Sequence, residues 1–287
     1  MKYSRLIAGT MTWGSWGKQL KIKDMISLMH HCLENSITTF DHADIYGSYT
    51  TENDFGNAFA ESGIKREHIQ LISKCGIQYL SDTRKNSVKH YDYSKDYIIW
   101  SAETSLKHLK TDYLDLLLLH RPSPLMHPDE ISEAITTLKQ HGKIKDFGVS
   151  NFTPSQVELV SNAVDISVNQ IEFSLTQDSA MHNGSLDQML LKHITPMAWS
   201  PLGSVFREDN EQTRRIHKQL GELRAVYNAT EDQLLLAWIL KHPANIHPVI
   251  GTTTKHRITD AKNAEHIDLT LEDWFKILVA SQGHKVP

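Results

Sequence analysis

The chain has little sulfur, no surplus of either charge and no long apolar run. Two cysteines, Cys32 and Cys75, occur in 287 residues. That is no disulfide framework, and it fits a reducing compartment. No apolar stretch approaches the ~18 residues that cross a bilayer. Met1-Lys2-Tyr3-Ser4-Arg5 leads straight into a strand-like run without a signal-peptide hydrophobic region, so a cytoplasmic protein away from membranes is expected. A net charge of -4 gives no basic excess, which argues against nucleic acid as the main partner. The 17 histidines are scattered without a metal-ligand pattern such as H-E-x-x-H, so no metal is expected. His30 and His31 read as partly exposed helix positions. No G-x-G-x-x-G follows the first apolar run, which disfavours an open doubly wound sheet. Linker-like and low-complexity segments are also missing, so residues 1–287 are expected to form one domain.

What is present is a repeated alternation. With 40 % hydrophobic residues the chain can bury a core. Short apolar or β-branched runs read as strands at 6–8, 37–40, 69–73, 114–119, 146–149, 166–168, 196–198 and 248–250. Helical spacing or helix punctuation follows between them, over 22–35, 51–62, from 94, 128–141, from 154, 210–227, 230–241, and from 255 and 271. Thr153-Pro154 reads as an N-cap with proline at the first helical position. Residues 77–93 read as a long polar loop, a length usually reserved for lids or binding loops. Strand and helix alternating eight times, with buried-type strands such as Leu114–Leu119, predict an α/β fold, a closed (β/α)8 TIM barrel.

The strand ends carry the chemistry. Asp41, Lys74, His120, Ser150-Asn151, Gln170, Trp199 and Gly251 close strands two to eight. A closed barrel brings such ends to one rim, where active sites of this architecture sit. Tyr46 follows Asp41 in the loop Asp41-His42-Ala43-Asp44-Ile45-Tyr46-Gly47. Blander readings stand beside this one: an Asp41–Lys74 structural ion pair, a buried His120, or Lys74 as a Schiff-base lysine.

The motifs Asp41-x-Ala-Asp-x-Tyr46-Gly, Ser73-Lys74, Leu119-His120-Arg-Pro, Gly148-Val-Ser-Asn151-Phe, Asn169-Gln170 and Trp199-Ser-Pro-Leu-Gly203 resemble the aldo-keto reductase superfamily. The likeness runs through nearly the whole chain, in order. It is most similar to a bacterial branch of predicted oxidoreductases. The resemblance implies an NADPH-dependent reductase of a small-molecule carbonyl substrate, acting as a monomer or weak homo-oligomer. Its catalytic tetrad would be Asp41, Tyr46, Lys74 and His120. Ser150, Asn151 and Gln170 would hold the nicotinamide carboxamide, and Trp199 would stack on the ring. Thr10, Met11 and Asp41 would touch the cofactor. Ser200, Leu202 and Ser204 would run along the pyrophosphate. Gly251, Thr252, Thr254 and Arg257 would grip the 2′-phosphate, with Asp260 near the adenine. Thr253 and Ala261 depart from the family pattern, and Lys255 is the candidate substitute for the missing second cation.

Each tetrad member also has a physical rationale. Carbonyl reduction needs a hydride and a proton. A phenol can give the proton, but its ordinary pKa is about 10. An ammonium ~4 Å away is worth roughly 4 kcal/mol at an effective dielectric of ~20, about three pKa units, and is expected to bring Tyr46 down toward neutral pH. Asp41 would keep Lys74 charged. His120 would orient the carbonyl oxygen. Trp13, Trp16, Tyr46 and His120 are expected to line the substrate pocket, with Tyr79, Tyr91 and Tyr93 as further loop residues. The short tail 281–287 predicts an open pocket and broad activity on small aldehydes. Two other functions fit the same residues: an NADP-dependent sugar or alcohol dehydrogenase, and a non-catalytic NADPH-sensing regulatory subunit.

Overall fold

The structure is a computed structural model and describes residues 3–287. In chain order its strands are β1 (Ile7–Gly9), β2 (Thr39–Asp41), β3 (Gln70–Cys75), β4 (Ile77–Gln78), β5 (His90–Tyr91), β6 (Leu114–Leu119), β7 (Ile144–Ser150), β8 (Val168–Glu172), β9 (Thr195–Trp199) and β10 (His247–Ile250). All but β4 and β5 join one closed parallel barrel, in the order β1-β10-β9-β8-β7-β6-β3-β2. The expected (β/α)8 architecture is therefore present. Among the described residues no helix is long and apolar enough to cross a membrane.

Strand periodicity divides the core into two layers. Ile7, Ile72, Leu116, Leu118, Val168, Met197 and Val249 form one buried cluster inside the barrel. The alternate residues Leu71, Leu117, Leu119 and Val149 join a larger cluster with the helices. The helix Ile22–Glu34, for example, buries Met25, Leu28, Met29 and Cys32 at helical spacing. The helix Pro154–Ser161 starts as the sequence predicts, with Thr153 in a capping box with Gln156 and proline in the first turn.

The same period of two places the site. Lys74 lies two residues beyond Ile72, His120 two beyond Leu118, Gln170 two beyond Val168 and Trp199 two beyond Met197. These side chains are therefore the next layer of the barrel interior, at the end where the strands stop.

Several boundaries differ from the sequence reading. β2 runs from Thr39 to Asp41, so Asp41 is part of the strand. β8 runs from Val168 to Glu172 rather than over 166–168, because Asn169 and Gln170 pair with β7 on one side and β9 on the other. Backbone pairing does not need apolar side chains, so a run judged by hydrophobicity stops too soon. The loop 77–93 contains an antiparallel hairpin, β4 against β5.

Candidate active site

At the C-terminal rim of the barrel, Lys74 is the hub. It is wholly buried, and its ammonium donates to Asp41 Oδ2 at 2.7 Å, to the His42 carbonyl at 2.8 Å and to Tyr46 Oη at 3.1 Å. All three ammonium protons are thus engaged. Asp41 Oδ1 accepts from Gln170 Nε2 at 2.9 Å, which ties β8 to β2 across the barrel. Backbone bonds fix the loop after β2: Asp44 N–H donates to the Lys74 carbonyl, and Thr10 N–H donates to that of Asp41.

An ammonium has only donors, so the Tyr46 oxygen accepts from it, and the phenol's own proton is free to point elsewhere. The imidazole of His120 meets the Tyr46 ring edge-on, with centroids 6.1 Å apart. Its buried Nδ1 has no hydrogen-bond partner among the described residues.

The electrostatics correct one expectation. Tyr46 is not lowered toward neutral pH but raised above 10.0, because burial outweighs the pull of Lys74. Lys74 is itself raised: burial opposes the charge, and Asp41 and Tyr46 more than compensate. His120 lies well below 6.5, first through burial and then through the cations Lys74, Arg121 and Lys89. The resting site therefore holds a charged ammonium, a protonated phenol and a neutral imidazole.

Tyr46 and His120 open into a cavity of about 760 Å³ that also meets Asp41, Ser150, Asn151, Gln170, Trp199 and Trp16. A second cavity of about 610 Å³ continues outward. The two share Thr12, Ser200, Pro201 and Gly251 as walls. The outer one carries Thr252, Thr254, Arg257 and Leu202, with two further cations, Lys18 and Arg207.

The sequence model of the aldo/keto reductase family matches residues 5–279. The uncharacterized oxidoreductase YcsN of Bacillus subtilis is 41 % identical, over 100 % of this chain and 97 % of its own. A 6-dehydroglucose reductase of Agrobacterium fabrum is 38 % identical over 89 % of this chain and 86 % of its own. The chain belongs to the aldo/keto reductase family. A family member from Klebsiella pneumoniae, solved with NADP and acetate, shares the fold at a TM-score of 0.79 and 22 % identity, covering 98 % of this chain and 92 % of that one. This aldo/keto reductase is accordingly an oxidoreductase.

Most of the expected site residues of this aldo/keto reductase do converge, but several do not. Trp13 is buried between Phe40 and Phe55 in the hydrophobic core and is not a pocket wall. Trp16 does face the cavity, against Tyr46 and Tyr79. The Thr10 hydroxyl donates to the Asp41 carbonyl and meets His42 Nδ1, so it braces β2 from behind instead of lining the cleft. Met11, its neighbour, does line it.

Ser204 and Asp260 lie outside the walls of both cavities. The Ser204 amide is spent on Thr176, and the Asp260 carbonyl on Gln233. Lys255 points away to Ser27, so the extra cations at this end are Lys18 and Arg207 instead. Asn151 and Trp199 bond each other, indole N–H to amide oxygen, at 2.9 Å. Tyr93 packs in the core and braces Arg121, while Tyr79 and Tyr91 line the inner cavity.

Sequence reasoning passed over Lys18, Lys89, Arg121 and Arg207. Arg121 was findable, since it directly follows His120. The others sit in loops whose course no periodicity predicts.

Proposed function

We propose that this chain reduces small aldehydes and ketones to alcohols with NADPH, using Tyr46 as the general acid. The observation that carries this reading is the buried bridge in which one ammonium, Lys74, bonds both Asp41 and the Tyr46 oxygen at the mouth of a cavity.

The donor set of the cleft fits the cofactor. Lys18, Arg207 and Arg257 with the hydroxyls of Thr252 and Thr254 suit phosphates at the outer end. Ser150, Asn151 and Gln170 offer hydroxyl and amide groups suited to a carboxamide, beside the flat indole of Trp199. Ser200 and Leu202 line the stretch between. When bound, NADPH would supply the hydride.

The remaining steps belong to the protein. Tyr46 holds a proton that Lys74 does not occupy, and gives it to the carbonyl oxygen as charge develops there. Lys74 then stands beside the phenolate and stabilises it. Asp41 keeps Lys74 charged throughout. His120, neutral, has one N–H to donate; with Nδ1 buried and unpartnered, the Nε2–H tautomer directs that proton toward the carbonyl.

A phenol held protonated at rest has the proton that reduction of a carbonyl calls for. The lysine has a raised pKa and is bonded three ways, which disfavours a Schiff-base role. The test is to follow NADPH absorbance while screening aldehydes, ketones and aldoses. Consumption with small aldehydes is expected. NADPH binding, read by tryptophan fluorescence, without consumption on any carbonyl would overturn the reading and leave a sensor.

A further inference from the structure

The inner cavity carries charge that the reduction does not use. Among its lining residues the cations are Arg121 and Lys89, and the single acid is Asp41. Asp41 is taken by Lys74 and Gln170, which leaves Arg121 and Lys89 with no anion opposite them. The phosphates of a bound cofactor have their own cations, since Lys18, Arg207 and Arg257 line the outer cavity and neither Arg121 nor Lys89 does.

Arg121 is also held in place. Its backbone N–H donates to Tyr93 Oη at 3.1 Å, and its carbonyl accepts from the same hydroxyl. The Tyr93 ring lies so close to Gly76 that a Cβ there would stand 1.9 Å from it, at a φ of +109° that other residues avoid. The guanidinium is poised 5.2 Å from the Trp199 ring centroid, a cation–π contact that orders it without neutralising it. It is near enough to Tyr46 and His120 to act on both electrostatically. Apart from these cations, the wall around the phenol is largely apolar or aromatic: Trp16, Ile45, Ile77, Tyr79 and Tyr91.

We propose that Arg121, seconded by Lys89, is the receptor for an anionic group on the substrate, and that the preferred substrates are carbonyl compounds carrying a carboxylate or a phosphate. The inference rests on the carbonyl-reductase reading above. A guanidinium presents forked donors that match either anion. Two unpaired cations in one cavity repel each other, and an anion between them removes that cost. The apolar wall takes the carbon skeleton, while Tyr46 and His120 take the carbonyl oxygen.

The test compares matched pairs with NADPH: 4-oxobutanoate against methyl 4-oxobutanoate for the carboxylate arm, and glyceraldehyde 3-phosphate against glyceraldehyde for the phosphate arm. The quantity read is the anion-to-neutral ratio of kcat/KM in wild type, Arg121→Gln, Arg121→Lys and Lys89→Gln. The wild type is expected to favour the anion in at least one arm, and that arm names the group. Arg121→Gln is expected to lower the ratio by about ten- to hundred-fold, mostly through KM. Arg121→Lys is expected to restore part of it, and Lys89→Gln to lower it by a few-fold.

Added salt should raise KM for the anion and leave that for the neutral partner alone. A wild type with no preference in either arm would overturn the proposal, as would an Arg121→Gln enzyme that slows both members of a pair equally. In both of those cases NADPH is still consumed, so carbonyl reduction survives. No consumption with any of the compounds would remove the reductase reading and this inference with it.

Discussion

At the inner end of the cleft the charges of the bridge are buried and already partnered, whereas at the outer end the cations stand in solvent. Lys74 is wholly buried, and Asp41 nearly so at 2 % exposure, each spent on the other and on neighbours. Lys18, Arg207 and Arg257 are exposed, and Arg257 forms no ion pair among the described residues. The contrast follows from the work proposed for each end. A proton donor must be fixed within a fraction of an ångström before the substrate arrives, so its supporting charges are locked in a dry setting where they are strong. A phosphate grip is made and released in each cycle, and solvated side chains can close on it at little cost.

The sharpest way to break that contrast is at the hub. Lys74→Met should lower kcat by more than about a hundred-fold and destabilise the fold by about 3–5 kcal/mol, since Asp41 is left buried and unpaired. Steady-state kinetics and denaturant titration check it. A variant that keeps wild-type stability would show that the bridge is not a locked element.

At the outer end the expected effect is smaller and of another kind. Arg257→Gln should raise KM for NADPH by about ten- to hundred-fold, with kcat and stability nearly unchanged and little effect with NADH. A matching rise for NADH would place the arginine elsewhere than on the 2′-phosphate.

Behind the inner end lie two buried carboxyls, Asp44 and Glu52, each raised to about 7, chiefly by burial. For both, the folded pKa lies above the unfolded one. Their contribution to stability is therefore complete below about pH 4 and is lost as pH rises through about 7. His42, held at about 3 by burial and then by Lys74, works in the opposite sense: its contribution is present above the ordinary histidine pKa and fades as pH falls. A variant isolates one of these terms. Asp44→Asn should gain about 2 kcal/mol relative to wild type between about pH 5 and about pH 8, read by denaturant titration at each pH. A difference that stays constant or shrinks with pH would mean that Asp44 is ionised in the fold.

The smallest effects separate two tryptophans three residues apart in sequence. Trp13→Phe should cost about 1–3 kcal/mol in stability and leave the substrate KM alone. Trp16→Ala should shift KM for an aromatic aldehyde a few-fold, with stability within about 0.5 kcal/mol. Reversal of that pattern would restore Trp13 to the pocket.

These cases also mark how far the sequence could be read. The barrel was legible because parallel strands buried on both faces leave near-continuous apolar runs such as Leu114–Leu119, broken only by Asp115. Asp41, Tyr46, Lys74 and His120 were legible because strand ends of a closed barrel must meet. Direction was not legible one residue at a time. Thr10 and Trp13 lie in the same rim segment as Met11 and Trp16, yet they point inward, one to brace β2 and the other to fill the core. The sign of the Tyr46 shift was not legible either. A spacing argument counts the neighbouring ammonium but not the desolvation, and here the desolvation is larger. Loop cations such as Lys18 and Lys89 leave no periodic trace at all.

The account stands or falls on the proton of Tyr46. The most direct measurement is the rate of NADPH consumption with a small aldehyde by Tyr46→Phe, in a variant shown by tryptophan fluorescence to bind NADPH as the wild type does. A fall of at least about a hundred-fold is predicted, because the ring remains and only the donated proton is gone. A variant that keeps a tenth or more of the wild-type rate would contradict the account.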